Sequence, residues 1–301
     1  MPHHREIRLA CAPADGLGAR RLVRDLVRND GARVEVLDVA GALASRAGVE
    51  DAIRGRAARL RDLVPGLVAG VRCIERDAAG LRVTADAPAG VRLSGILKHL
   101  GDDGASVPDA VVFELLGAVA RAASKLHRMP GLAHGALTAA HVALDADGAA
   151  TFTDGAFGGA IEDLQWNRDQ LWRAFGLTFP AAAGLPRLDQ RADVMQLGVI
   201  GLSLALRRPL REDEYPRGLI DLIVLATPDA GIVYGAVSLR MWLQQALQLH
   251  PRANFGSAVD AERALAEIPV PPGGRRPAAQ ALRELIRRVA VHEAHLSSAV
   301  A

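Results

Sequence analysis

The residues with chemical capacity fall into a few short stretches. His134-Gly135-Ala136-Leu137-Thr138-Ala139-Ala140-His141-Val142-Ala143-Leu144 carries two imidazoles, and Thr153-Asp154-Gly155-Ala156 follows with one carboxylate. Imidazole and carboxylate suit acid–base work or metal ligation. Nothing beside His141 offers the base–nucleophile pairing that covalent catalysis needs, so a satisfied loop or core histidine is the simpler reading there. Gly16-Leu17-Gly18 is the other stretch with a chemical precedent, because glycines let backbone approach a phosphate. A lone G-x-G is weak evidence, and an ordinary loop is the favoured reading. Cys11 and Cys73 have no Cys or His at ligand spacing, so zinc is not expected, and two cysteines make no disulfide framework for a 301-residue chain.

These groups must be positioned by a chain that is 50% hydrophobic and 23% charged, enough for a sizeable core. The 36 basic residues against 34 acidic give a net charge of +2, which excludes a global field for nucleic acid. Only Lys98 and Lys125 among the basic residues are lysine, a bias that genomic GC content explains over most of the chain. There is no apolar signal core at the start and no uninterrupted apolar run of membrane-spanning length, so a soluble cytoplasmic protein is the expectation. The first ninety or so residues read as strands (6–10, 32–39, 67–75 and 81–85) around one helix, 48–63, which Pro65-Gly66 stops. Helical periodicity then dominates, at 107–126, 193–206, 218–225, 239–249 and 258–267. A hairpin at 142–153 interrupts it. Pro269-Val270-Pro271-Pro272-Gly273-Gly274 reads as a linker before an amphipathic helix.

The order of these segments resembles that of bacterial Ser/Thr protein kinases. His134 to Leu144 is similar to their catalytic loop, H-G-D-L-K-P-x-N-I-L-L, and Asp154-Gly155-Ala156 to the metal-binding D-F-G that follows at hairpin distance. Leu81 to Leu93 resembles the last small-lobe strand and hinge. Arg191-Ala192-Asp193-Val194-Met195-Gln196-Leu197-Gly198-Val199 resembles the R-S-D-V-Y-S-L-G-V opening of the buried large-lobe helix, and 242–251 with 258–265 resembles the closing helix pair. The resemblance implies an α+β, two-lobed protein-kinase-like fold. A small antiparallel β-rich lobe with one helix (1–90) would precede a larger, mainly helical lobe (91–268), a Pro/Gly linker (269–277) and a tail helix (278–301).

The same comparison implies lost chemistry. Phosphoryl transfer rests on positioning and charge neutralisation by a few groups. Ala136 stands where the family has its catalytic carboxylate, Thr138 where it has the catalytic-loop lysine, and His141 where it has the metal-ligand asparagine. A methyl group neither orients nor deprotonates a hydroxyl, and imidazole suits hard magnesium poorly. Leu37 falls at the third-strand lysine, no lysine precedes Lys98, and 54–73 supplies no partner glutamate. Arg33 could replace that lysine only by charge. Gly16 and Gly18 can be laid on the phosphate-covering loop with Arg21 at its third glycine. Asp154 is the one retained ligand; a structural role is favoured for it because its usual co-ligand is missing. The expectation is therefore a pseudokinase with no cofactor, acting as a protein-binding, scaffolding or regulatory module. The alternative is an atypical kinase or nucleotide-sensing switch that binds ATP and magnesium weakly through Asp154.

By the same resemblance His134, Asp193 and Gly198 are architectural, supporting the metal loop, receiving catalytic-loop hydrogen bonds and allowing helices to approach. Trp166 and Trp172 lie where an activation segment runs; packing is the simpler reading, a partner anchor the functional one. The tail-helix face of Leu282, Leu285, Ile286 and Val289 needs a cover: the large lobe, a second copy, or another protein in a larger complex.

Overall fold

The structure, a computed structural model, describes residues 6–25, 33–102, 107–180, 184–227, 238–250, 252–269 and 275–300. Strands β1 (Glu6–Asp15), β2 (Gly18–Asp25), β3 (Arg33–Val39), β4 (Val71–Asp77) and β5 (Gly80–Asp86) form one antiparallel sheet in the order β1-β2-β3-β5-β4. Between β3 and β4 run a short helix α1 (Gly41–Ala44) and the longer α2 (Val49–Leu63). Val49, Ile53, Ala57 and Leu60 recur at helical spacing and are buried. Glu50 and Asp51 sit in the first turn, where the helix dipole favours acid.

The second lobe holds a three-stranded sheet, β6 (Val91–Arg92), β7 (Val142–Leu144) and β8 (Ala150–Phe152), and most of the helices. In chain order these are α3 (Leu93–Asp102), α4 (Asp109–His127), α5 (Gly158–Glu162), α6 (Arg168–Phe175), α7 (Gln190–Leu206), α8 (Leu219–Ala226), α9 (Leu239–Ala246), α10 (Ala258–Ala266) and α11 (Arg275–Val300). The sequence carries α7 as an apolar helix on all sides, and it is buried from Ala192 to Leu204 with few breaks. It packs on α9 at Gly198, where a methyl group would meet the Leu247 side chain at 2.9 Å and the Ala246 backbone at 3.1 Å.

The expected α+β, two-lobed architecture is present, with differences in detail. Residues 18–25 form a strand where the sequence suggested a loop, so the small-lobe sheet has five strands. The strand expected at 67–75 starts at Val71. Its first residues run instead beside Phe152, which exchanges backbone hydrogen bonds with Leu67 and Ala69 and ties the end of α2 to the large lobe. Helices α3, α5 and α6 had no clear periodic signal. The tail helix begins at Arg275, so the linker ends before that residue, and 270–274 lie outside the described residues.

The tail-helix face is a correction to the expected partner surface. Leu282, Leu285, Ile286 and Val289 are each under 5% exposed and belong to the large-lobe core, because α11 lies along α3 and α4. The apolar stripe is covered by its own chain. Among the described residues no helix is long and apolar enough to cross a membrane.

Leu285→Ala should therefore act as a core truncation, costing about 3 kcal/mol. Urea unfolding would show a lower midpoint at unchanged slope, with the wild-type mass by light scattering. A changed mass with unchanged stability would restore the interface reading.

Candidate functional site: the interlobe cleft

The loop between α4 and β7 is organised by one buried carboxylate. Asp193, at the start of α7, accepts backbone hydrogen bonds from His134 (2.5 Å) and Gly135 (2.8 Å), and the His127 ring lies 3.0 Å from it. His127 Nδ1 accepts from the Ala258 amide, so its Nε2–H is the donor to Asp193. A buried carboxylate requires such donors. His134 is itself buried: its Nδ1 accepts from the Ala136 amide and its Nε2–H donates to the Thr153 carbonyl at 2.8 Å. Burial pushes its pKa down to about 4, only partly opposed by Asp193, and keeps the ring neutral.

Ala136 follows in this loop and is fully buried in apolar surroundings. His141 Nδ1–H donates to the Ala136 carbonyl at 2.5 Å, with Thr138 Oγ1 at 3.3 Å. Across the β7–β8 hairpin, Asp154 adopts a left-handed φ of 62° and enters the cleft. A methyl group on Gly155 would meet Leu60 and Val68 at 3.2 Å, so the end of α2 packs directly onto this residue.

The cleft itself is occupied by arginine. Arg20, on β2 and almost wholly buried, places Nη1 3.0 Å from Asp154 Oδ1 and Nε 2.9 Å from Asp15 Oδ2, with Glu35 at 3.7 Å. Asp15 also stands 3.4 Å from His141 Nε2. Arg92, on β6, reaches up from the large lobe. Its Nη2 meets both Glu35 oxygens at 2.6 and 2.5 Å, while Nη1 donates to the Ala140 carbonyl and to Thr153 Oγ1. Burial works against the charges of Arg20, Asp15 and Asp154. It is outweighed at Arg20 by Asp154, Asp15 and Glu35, whose attraction raises the guanidinium pKa. It is likewise outweighed at Asp154 by Arg20, His141 and Arg92, and at Asp15 by His141 and Arg20. Both carboxyls are held below the usual range.

This donor set does not fit magnesium. Both Asp154 oxygens are engaged, Oδ1 by Arg20 and Oδ2 by the Thr153 hydroxyl at 2.7 Å, and the second ligand position is an imidazole. Among the described residues no group of three His, Cys, Asp or Glu is arranged to hold a metal.

The glycine pair behaves differently from a phosphate loop. Asp15 pairs with Gly18 across a two-residue turn, so there is no long flap. A methyl group on Gly16 would lie 1.7 Å from the Ala174 carbonyl oxygen, and one on Gly18 2.0 Å from the Asp38 carbonyl: the hairpin tip rests directly on α6. Arg21, laid on the third-glycine place, lies mid-strand on the face opposite Arg20, paired with Asp38. Leu37 faces the small-lobe core beside α2, two residues past Glu35, and Arg33 is exposed. Glu35 is the β3 side chain that enters the cleft.

Trp166 and Trp172 are both half-buried. Trp166 stacks on Phe175 beneath the hairpin tip, with centroids 5.7 Å apart. Trp172 lies 4.7 Å from the Tyr215 ring and donates from Nε1 to the Glu212 carbonyl. These intramolecular contacts account for the aromatic concentration and follow the packing reading, the simpler of the two expected for these residues.

Asp15, Arg20, Glu35, Arg56, Arg92 and His127 carry the site and were not singled out in the sequence. Arg56, on α2, donates to the backbone carbonyls of Gly155, Ala133 and His134. Strand alternation could have found Glu35, because Glu35, Leu37 and Val39 share one face. An arginine is too common in this chain for type alone to mark the others.

These elements, in this order around such a cleft, define a two-lobed protein-kinase-like fold. Solved structures agree. The kinase domain of Mycobacterium tuberculosis PknI superposes with a TM-score of 0.61 at 19% identity, covering 88% of this chain and 97% of that one. A single-site variant of the same domain gives 0.59 at 20% identity, covering 87% and 94%. No protein-family profile and no curated protein matches the sequence.

His134 yields a pH prediction. Its folded pKa lies below the ordinary imidazole value, so between about 6.5 and 4 the unfolded chain binds the extra proton. Stability is full above pH 6.5 and falls by on the order of 3 kcal/mol as pH drops through that window. Asp15 and Asp154 add their losses at lower pH. Urea unfolding at pH 7.5, 5.5 and 4.5 checks this; an equally steep decline in His134→Gln would contradict it.

Proposed function

We propose that the chain is a catalytically inactive pseudokinase, a kinase-like fold that serves as a protein-binding, scaffolding or regulatory module. The observation that carries this reading is the Arg20 guanidinium on Asp154, in the space where the fold would place metal and phosphates. A nucleotide entering the cleft would have to displace the buried Arg20 and the half-buried Arg92 guanidiniums from three carboxylates, and its own phosphates would meet Asp15, Glu35 and Asp154. Unpairing such charges costs several kcal/mol each.

The catalytic positions support the same reading. Ala136 cannot accept a hydroxyl proton, Thr138 carries no charge, and His141 is tied to the Ala136 carbonyl. Losses of such groups are worth orders of magnitude in rate. What the fold retains is a shaped two-lobed surface, with α2 fixed to the catalytic loop through Arg56, and such a surface suits recognition of a protein partner.

Thermal shift with ATP and magnesium, beside a radiolabelled phosphate-transfer assay, tests the proposal. The expected result is a Tm change under about 1 °C and no transfer, in the wild type and in Ala136→Asp. A shift of several degrees without turnover would support the nucleotide-sensing alternative. Turnover would establish an atypical kinase and end the pseudokinase reading.

A further inference from the structure

Two ion pairs and one close carboxylate–imidazole approach cross the cleft, each with one partner in either lobe. Arg20 on β2 meets Asp154 after β8; Asp15 on β1 meets His141 before β7; Glu35 on β3 meets Arg92 on β6. They share members, since Arg20 also holds Asp15 and approaches Glu35. Thr153 joins the large-lobe ends, hydrogen-bonded to both Arg92 and Asp154. The small-lobe side chains of this set lie on three adjacent strands, and the Arg20 and His141 side chains are under 5% exposed.

The surroundings point the same way. The hairpin tip at Gly16 lies on Ala174 and Phe175 of α6, leaving no room for a methyl group. An apolar core runs through both lobes, joining Leu37, Ile53 and Leu81 to Phe157, Ile161 and Leu164. An open space of about 320 Å³ adjoins the network on its α2 side, lined by Leu60, Val68, Val83, Ala87, Asp154 and Phe157.

Resting on the pseudokinase reading, we infer that Arg20 is a resident cation: it takes the place of bound metal and clasps the two lobes shut without any ligand. Asp15, Glu35 and Asp154 form the carboxylate cradle, and Arg92 is the second bolt, anchored in the large lobe by the Ala140 carbonyl. The closed cleft is then the ground state of the molecule, presenting one fixed surface to a partner. Removing Arg20 leaves the cradle with uncompensated charge, which a small divalent cation could satisfy through oxygen ligands.

The test compares wild type with Arg20→Met in the full chain, by thermal unfolding and small-angle X-ray scattering, with and without magnesium chloride. The variant should lose roughly 5–10 °C in Tm, because a buried pair is broken from one side. It should scatter as a wider particle, and about 10 mM magnesium should restore roughly 3 °C to it while moving the wild type by less than about 1 °C. Wild-type Tm and scattering in Arg20→Met, or equal stabilisation of both chains by magnesium, would overturn the clasp. If Arg20→Met does not fold, Glu35→Gln carries the test. It should lower Tm by roughly 3 °C and widen the scattering profile, and no change there would overturn the clasp. Phosphate transfer by the wild type would overturn the pseudokinase reading instead; neither failure implies the other.

Discussion

A guanidinium buried between two lobes has to be surrounded by negative charge, and the neighbourhood of Arg20 is arranged around that need. Asp15, Asp154 and Glu35 lie within 4 Å of it, drawn from two strands of the small lobe and from the metal-loop position of the large one. None of these charges would be tolerated there singly, because desolvation of each costs more than a solvated ion pair returns. Together they form a network in which the loss of one member strands the rest. The position of Asp154, the turn of the β1–β2 hairpin and the closeness of the lobes are all tied to it.

Below the cleft a second buried charge does comparable work on the backbone. Asp193 gathers the amides of His134 and Gly135 and the His127 ring, and His127 in turn fixes the start of α10 through Ala258. Arg56 then binds the same loop's carbonyls from α2. The geometry of the loop between α4 and β7 is thus maintained by buried groups around it, with Ala136 at its centre.

Much of the architecture was legible in the sequence because it rests on periodicity and punctuation. The helices 109–127, 190–206 and 258–266 and the hairpin around 142–152 follow apolar spacing and turn residues. The replaced motif positions, Ala136, Thr138 and His141, were equally legible, since they depend on residue type at fixed places in a motif. The occupied cleft was not. Arg20 and Arg21 are adjacent and chemically identical, and only their place in β2, with the register that sets Arg20 opposite Leu37, decides that Arg20 faces the cleft while Arg21 pairs with Asp38 on the opposite face. Reading Gly18 as loop rather than strand concealed that register. The tail-helix stripe was found as an apolar face, but its cover, α3 and α4, is a tertiary contact that periodicity cannot name. The scarcity of lysine also takes on a local meaning. In the cleft between the lobes this chain places planar, multidentate guanidiniums, Arg20 and Arg92, suited to holding several oxygens at once.

The central claim is that Arg20 is held by Asp154 and Asp15 in a cleft closed to nucleotide, and side-chain NMR reads it directly. In a nitrogen-edited spectrum assigned with Arg20→Lys, the Arg20 Nε–H signal should be protected from exchange with water and unmoved by millimolar ATP and magnesium. A signal that exchanges freely, or that shifts saturably as nucleotide is added, would contradict the account.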